Sequence, residues 1–290
     1  MRQPGYLAAV CSDQGTVRSR NEDNFYLGGY CLDQNAALRR ARVEQPLGEC
    51  AAVAVFDGMG GERRGDEASR LAADCLADWA EHLAAGGDPG EYVEAANADI
   101  CAAARRAGGT MGSTLVLAVL GQTGCTVYNV GDSRAFLWRE GTLRQLSRDH
   151  TVVAQLLSMG LITPEQARTD RRRHQLSQHL GIPPEEMRIQ ASAQSFALEP
   201  EDTLLLCSDG VTDGVEPEHL ARLLASPLPP GELAEAIVDA ALEGGSRDNI
   251  TAMVVRRERL GRTWERFWLP AVAGSFVLGV LSGLIYLLLR

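Results

Sequence analysis

No lysine occurs in this chain; all 28 of its strongly basic side chains are arginine. A Walker-type phosphate loop, a kinase-type lysine and a Schiff-base lysine are therefore excluded together. Cysteine is present without a pattern. The seven residues, Cys11, Cys31, Cys50, Cys75, Cys101, Cys125 and Cys207, are odd in number and form no C-x-x-C pair. That fits reduced, mostly structural thiols in a cytosolic compartment. None is followed six positions later by arginine, so the Cys-x5-Arg nucleophile loop is missing. No G-x-S-x-G elbow supplies a serine nucleophile either. Internal repeats and low-complexity segments are also absent.

At 290 residues, with 45% hydrophobic and 23% charged side chains, the chain suits one large domain or two small ones with a proper core. The net charge is −10, and an arginine-rich stretch near the C-terminus leaves the rest more acidic still. Such a body lacks the basic face that phosphate backbones require, so nucleic acid is not an expected partner. From Phe267 to Leu289, "FWLPAVAGSFVLGVLSGLIYLLL" carries no charge, and about 20 such residues span a bilayer. Trp264 and Trp268 stand where an interfacial aromatic belt would lie. "RRERLGRTWER" precedes the run and only Arg290 follows it, which places the N-terminal body in the cytoplasm. No apolar leader competes at the N-terminus. The expected organisation is a folded body over residues 1–256, a juxtamembrane linker over 257–266 and a membrane helix over 267–289. The expected location is the cell inner membrane, with a single C-terminal pass. Ala271, Ser275, Gly279 and Gly283 share one face of that helix, a small-residue surface through which two copies could pair.

Short β-rich runs bounded by Gly, Asp or Asn predict strands at Tyr6–Val10, Phe25–Tyr30, Ala51–Phe56, Ser113–Leu120, Thr126–Val130, Ala135–Arg139, Met187–Phe196, Thr203–Cys207 and Ile250–Arg256. Apolar residues at helical spacing predict one helix over 66–83 and another over 89–107, with a later pair at Glu216–Leu224 and Gly231–Leu242. Between Arg148 and Pro184 the pattern weakens into short helical pieces, read as an irregular flap over about 148–186. Strands in hairpin-like succession with helix pairs between blocks favour antiparallel sheets covered by helices, an α+β fold, over an alternating βαβ sheet.

Several carboxylates stand at strand ends beside Gly or Asn. They are Asp57 in "AVFDGMGG", Asp209 in "LLLCSDG", Asp132 in "NVGDSR", Asp248 in "SRDNI", and Glu22 and Asp23 in "RNEDNFY". Any one of them is an ordinary turn residue. If the strands form one sandwich their ends converge, and carboxylates sharing a partly desolvated site repel one another. With no lysine and no His or Cys cluster, an all-oxygen set selects a hard cation, Mg²⁺ or Mn²⁺. The glycines after Asp57 then let the Gly58 carbonyl approach such an ion.

The ordered series "VRSRNEDNFY", "AVFDGMGG", "MGSTLVLAV", "NVGDSRAFLWREG", "LSRDHT", "LLLCSDGVTDGV" and "SRDNITAMVV", spread over residues 12–255, resembles the successive motifs of bacterial metal-dependent type 2C Ser/Thr protein phosphatases. The resemblance implies a four-layer α-β-β-α sandwich and hydrolysis of phosphoserine and phosphothreonine on proteins by metal-activated water. It implies that Asp57 bridges two metals, that Gly58 offers its carbonyl, and that Asp209 and Asp248 complete the first metal's ligands. Glu22 falls at the second, with Asp23 ordering metal-bound water. Asp132 with Asp209 falls at a weaker third, and Arg18 at the substrate phosphate. Ser113, Thr114 and Asn249 take supporting places. Met59 stands where many eukaryotic members have a histidine proposed as general acid, so water at the metals is the expected proton donor. His150 of "RDHT" is expected to be structural. A membrane-tethered Ser/Thr kinase is the kind of substrate the anchor suggests. The alternatives are a non-catalytic signalling module of the same fold and a two-metal phosphodiesterase.

Overall fold

Strands and helix pairs alternate along the computed structural model, which describes residues 5–33, 38–60 and 64–257. The chain runs β1 (Tyr6–Asp13), β2 (Asp23–Leu27), β3 (Arg40–Leu47) and β4 (Ala51–Gly60), then α1 (Gly65–Ala84) and α2 (Pro89–Ala107). Next come β5 (Met111–Ser113), β6 (Leu115–Leu120), β7 (Cys125–Val130), β8 (Arg134–Arg139) and β9 (Thr142–Gln145). Two short helices, α3 (Val152–Ser158) and α4 (Pro164–Thr169), precede β10 (Ser192–Phe196) and β11 (Thr203–Cys207). The described chain ends with α5 (Asp209–Gly214), α6 (Pro217–Leu224), α7 (Pro230–Glu243) and β12 (Ile250–Arg257).

One sheet has the order β3-β1-β12-β11-β8-β9 and the other β10-β7-β6-β4-β2, with β5 continuing along β4. Every ladder among the described strands is antiparallel. Continuous apolar runs such as "AAVAVF" arise because both faces of the central strands are covered. Val53 and Val55 point between the sheets with Phe25, Leu27, Leu206 and Met253. Ala52, Ala54 and Phe56 point outward against Leu76, Tyr92 and Ile100 of α1 and α2. On the far side Leu205, Ala252 and Val254 meet Leu233, Ile237 and Ala241 of α7. Helix, sheet, sheet and helix thus stack in four layers, the α+β arrangement expected.

Five expectations about elements need correction. The strand expected at Ala51–Phe56 does not stop before Asp57: β4 runs on to Gly60 because β5 pairs with it beyond the end of β6. The run expected at Ser113–Leu120 is two strands parted by Thr114, where the β4 partner changes. Only Ser192–Phe196 of the segment Met187–Phe196 is strand, because the ladder with β7 stops at Asn129 and the preceding Gln190 bonds instead to the Gln178 side chain. β3 was not expected from "RARVEQPL". Its outward Arg40 and Arg42 pair with Asp239 and Glu235 of α7, each at 2.7 Å, and Pro46 is tolerated because β3 is an edge. The polar β9 was missed for a similar reason: it is an edge strand whose residues are mostly exposed.

Among the described residues no helix is long and apolar enough to cross a membrane. The expected span Phe267–Leu289, most of the linker before it and the Ala271, Ser275, Gly279 and Gly283 face lie outside the described residues. Arg257, expected to open the linker, is the last residue of β12.

Leu206 is fully buried between the sheets. Leu206→Ala should lower the unfolding free energy by about 2–5 kcal/mol in chemical denaturation. Leu157→Ala, on the exposed side of α3, should change it by less than about 0.5 kcal/mol.

Candidate active site

The space between the sheets changes character towards one end. Successive inward positions on β2 and β4 read Leu27, Phe25, Asp23 and Val53, Val55, Asp57, so the apolar rows end in two carboxylates that lie opposite each other in the ladder. Asp23 is buried behind the cleft, and its Oδ2 accepts hydrogen bonds from Ser208 Oγ and Thr251 Oγ1, both 2.7 Å. It is not among the residues that line the cleft. Asp57, half-buried, does line it, with Arg18, Glu22, Gly58, Asp132, Asp209 and Asp248, around a cavity of about 530 Å³.

Each side chain is brought there by a different element. Thr114 fixes Asp57: its Oγ1 accepts from the Asp57 amide (2.9 Å) and its own amide donates to the Asp57 carbonyl (2.8 Å). The same hydroxyl pairs with Ser133 Oγ at 2.6 Å, tying Asp57 to the turn in which Asp132 crosses from one sheet to the other. His150 supports that turn from outside the cleft. Its amide donates to the Gly131 carbonyl and its Nδ1 accepts from the Gly131 amide. Burial lowers its pKa. Asp209 opens α5 directly after β11. Asp248 precedes β12 and accepts from Arg18 Nη2 at 2.6 Å.

Arg18 and Glu22 lie on the β1–β2 connection, which Asn249 holds in place. Its Nδ2 donates to the carbonyls of Gln14 and Arg20, and its Oδ1 accepts from the Glu22 amide, all at 2.8 Å. Gly58 is required by close approach: a Cβ there would stand 2.0 Å from the Gly65 carbonyl oxygen and 2.5 Å from that of Glu22.

Two residues were not anticipated. His174, from the segment after α4, reaches Asp209 (Nδ1 to Oδ2, 3.4 Å) and Asp213 (Nε2 to Oδ2, 3.8 Å). Potential ligand atoms of Asp132, His174 and Asp209 all lie within 4.8 Å of one another, so a single histidine joins the carboxylates. Nothing in "DRRRHQ" signals this, because only the tertiary path of the segment brings the ring in. Asp213 was legible: it stands four residues after Asp209 on α5, hence on the same face.

The electrostatics are those of crowded carboxylates. Asp57 is held protonated well above the ordinary carboxylate range, first by burial and then by Asp23, Asp209, Asp132 and Asp248. Burial pushes Asp23 and Asp132 each to about 7, reinforced by neighbouring acids including Asp209. Glu22 is raised by burial, and Asp248 raises Arg18 by accepting its hydrogen bond. Asp209 Oδ1 is buried with no hydrogen-bond partner. An orphaned carboxylate oxygen among several others, with few cations to balance them, is a donor set that fits a hard divalent cation.

Residues 40–243 match the family model described as "Protein phosphatase 2C". The chain belongs to the protein phosphatase 2C family. It is 34% identical over 258 residues to the serine/threonine phosphatase stp of Listeria monocytogenes, covering 85% of this chain and 94% of that one. It is 32% identical to the serine/threonine protein phosphatase PstP of Mycobacterium tuberculosis, where the match takes 85% of this chain and 44% of the longer relative. The crystal structure of M. tuberculosis PstP/Ppp superposes with a TM-score of 0.72 at 31% identity, covering 88% of this chain and all of that one. A PstP catalytic domain solved in complex with two manganese ions superposes at 0.69, with 30% identity and the same coverage. Like its family, this 2C phosphatase depends on Mg²⁺ or Mn²⁺.

The shifted carboxylates set a sign for pH dependence. Asp23 and Asp132 titrate near 7 in the fold and near 4 in an unfolded chain. Between those values the folded state binds more protons, so the stability present below about pH 4 is lost as pH rises through 7. In EDTA the melting temperature of this 2C phosphatase should fall from pH 5 to pH 8. Saturating Mn²⁺ should raise it more at pH 8 than at pH 5. A metal-free protein that gains stability across that range would contradict the assignment.

Proposed function

We propose that this chain is a metal-dependent protein serine/threonine phosphatase whose metal ligands are Asp57, Asp209, Asp248, Glu22 and the Gly58 carbonyl. Asp132 and Asp209 offer a further, weaker place. The observation that carries the assignment is the convergence of these carboxylates, from five separate segments, around the unpartnered Asp209 Oδ1. Divalent cations held there would supply an activated water and offset charge on the phosphoryl oxygens.

The remaining work falls to the chain's own groups. Arg18 engages Asp248 through one nitrogen, and its other donors have no hydrogen-bond partner among the described residues. A planar fork so placed holds two phosphate oxygens while Asp248 fixes its orientation. Asn249 keeps the Arg18–Glu22 connection at the cleft, and Thr114 keeps Asp57 there. Among the described residues Thr114 is the one hydroxyl in the lining, and it is already committed to the Asp57 amide and Ser133. Direct attack by water, with no phosphorylated enzyme, is the route these contacts favour.

The substrates are phosphoserine and phosphothreonine proteins. The apolar run Phe267–Leu289 and the arginines before it support a C-terminal anchor in the inner membrane with the phosphatase body in the cytoplasm. A membrane-tethered Ser/Thr kinase is then a fitting substrate, and the small-residue face at Ala271, Ser275, Gly279 and Gly283 a fitting contact between two copies.

Turnover of a phosphothreonine peptide in Mn²⁺ tests the chemistry. Asp57→Asn and Asp209→Asn should each lower kcat by at least about a hundredfold. Arg18→Ala should raise KM about tenfold or more with a smaller effect on kcat. Near-normal turnover in either Asp variant, or faster cleavage of bis-p-nitrophenyl phosphate than of the peptide, would overturn the assignment. For the anchor, the full chain should sediment with membranes and a chain ending at Arg257 should stay in the supernatant.

A further inference from the structure

Beside the acidic cleft lies a second cavity of about 490 Å³, within the roughly 300–1,000 Å³ typical of ligand pockets. Met59, Gly60 and His179 line both spaces, so the two are neighbours across a shared wall. The chemistry changes across that shared wall. On the far side the walls are Met111, Cys101, Ala104 and Ile182, while Arg105, Glu185 and Glu186 stand exposed at the mouth. An apolar interior with a charged rim does not suit a phosphoryl group or a metal ion.

The pocket is built rather than left over. Its outer wall is the chain after His179, which is bound to β5 by reciprocal hydrogen bonds between Ser113 and Leu180 (3.0 and 2.9 Å). Asn97 of α2 fastens the next residues: its Oδ1 accepts from the Gly181 amide at 2.6 Å and its Nδ2 donates to the Ile182 carbonyl at 3.0 Å. Gly181 has φ +100°, and a Cβ there would stand 2.3 Å from the Met111 carbonyl oxygen, so the wall lies as close to β5 as a backbone can. A wall stitched at both levels holds the cavity open without a ligand.

We propose that this pocket takes a large apolar side chain of the substrate polypeptide, within three residues of the phosphoserine or phosphothreonine. The proposal rests on the phosphatase function above and adds a sequence preference to it. A polypeptide whose phosphate lies in the acidic cleft reaches this pocket by crossing the shared wall of Met59 and His179. A flanking Leu, Met or Phe then finds thioether, thiol and aliphatic surface, which adapts to varied apolar shapes. A polar or acidic residue at the same place gains no partner and loses its hydration.

The test compares phosphothreonine peptides that differ only by Phe or Ser at one of the three positions on either side, hydrolysed by the full chain in Mn²⁺. At one position Phe should raise kcat/KM about tenfold or more, the discrimination expected of an apolar pocket. Thr110→Trp, filling the mouth, and Ile182→Ser, making the wall polar, should each bring that ratio close to one. Because the ratio is taken within each variant, any loss of overall activity cancels. Equal rates for Phe and Ser peptides at all six positions, or a ratio that survives both substitutions, would overturn the pocket's role and leave the phosphatase function standing. Failure to hydrolyse any of the peptides would instead contradict the function on which the pocket rests.

Discussion

Asp23 and Asp57 face each other across adjacent antiparallel strands, at the end of a space that is otherwise filled with valine, leucine and phenylalanine. Like charges directly opposite in such a ladder are unfavourable, and burial makes them more so. Asp132, Asp209 and Asp248 add to the same field. Such a cluster persists only if protons or cations neutralise it. Most of what surrounds the cleft follows from that condition: bound protons near neutrality, an oxygen left without a donor, and an arginine held against one carboxylate.

The sandwich makes the crowding possible by giving each carboxylate a rigid base. Inward rows of alternating apolar residues set the direction of Asp23 and Asp57, and hydroxyls of Ser208 and Thr251 form an intermediate polar layer. Backbone amides and side-chain amides then do the fine placement. Thr114 bridges Asp57 to Ser133, and Asn249 grips the β1–β2 connection at three points. These bonds are neutral, so they keep their geometry whether or not the carboxylates are charged. Preorganisation of this kind lets the site meet a phosphoryl group without rearranging.

Much of this was legible in the amino-acid sequence, for identifiable reasons. Asp57, Asp132, Asp209 and Asp248 each follow or precede a short apolar run beside Gly or Asn, a local pattern that survives into the fold. The four layers were legible because central strands are apolar on both faces and the long helices keep a clear spacing. Edge strands were not: β3 is charged on its outer face because it is answered by α7, a partner almost 200 residues away. Asp23 stands next to Glu22 in sequence, yet strand alternation sends it inward behind the cleft. His174 and the stitched wall at Gly181–Ile182 depend on how an irregular segment packs, and no periodicity reports that.

Anomalous diffraction from crystals grown with Mn²⁺ measures the central claim directly. The account predicts manganese peaks within about 2.0–2.6 Å of carboxylate oxygens of Asp57, Asp209 and Asp248, with Asp209 Oδ1 among the ligands. Peaks confined to the outer surface, with those three side chains turned to separate partners, would contradict it.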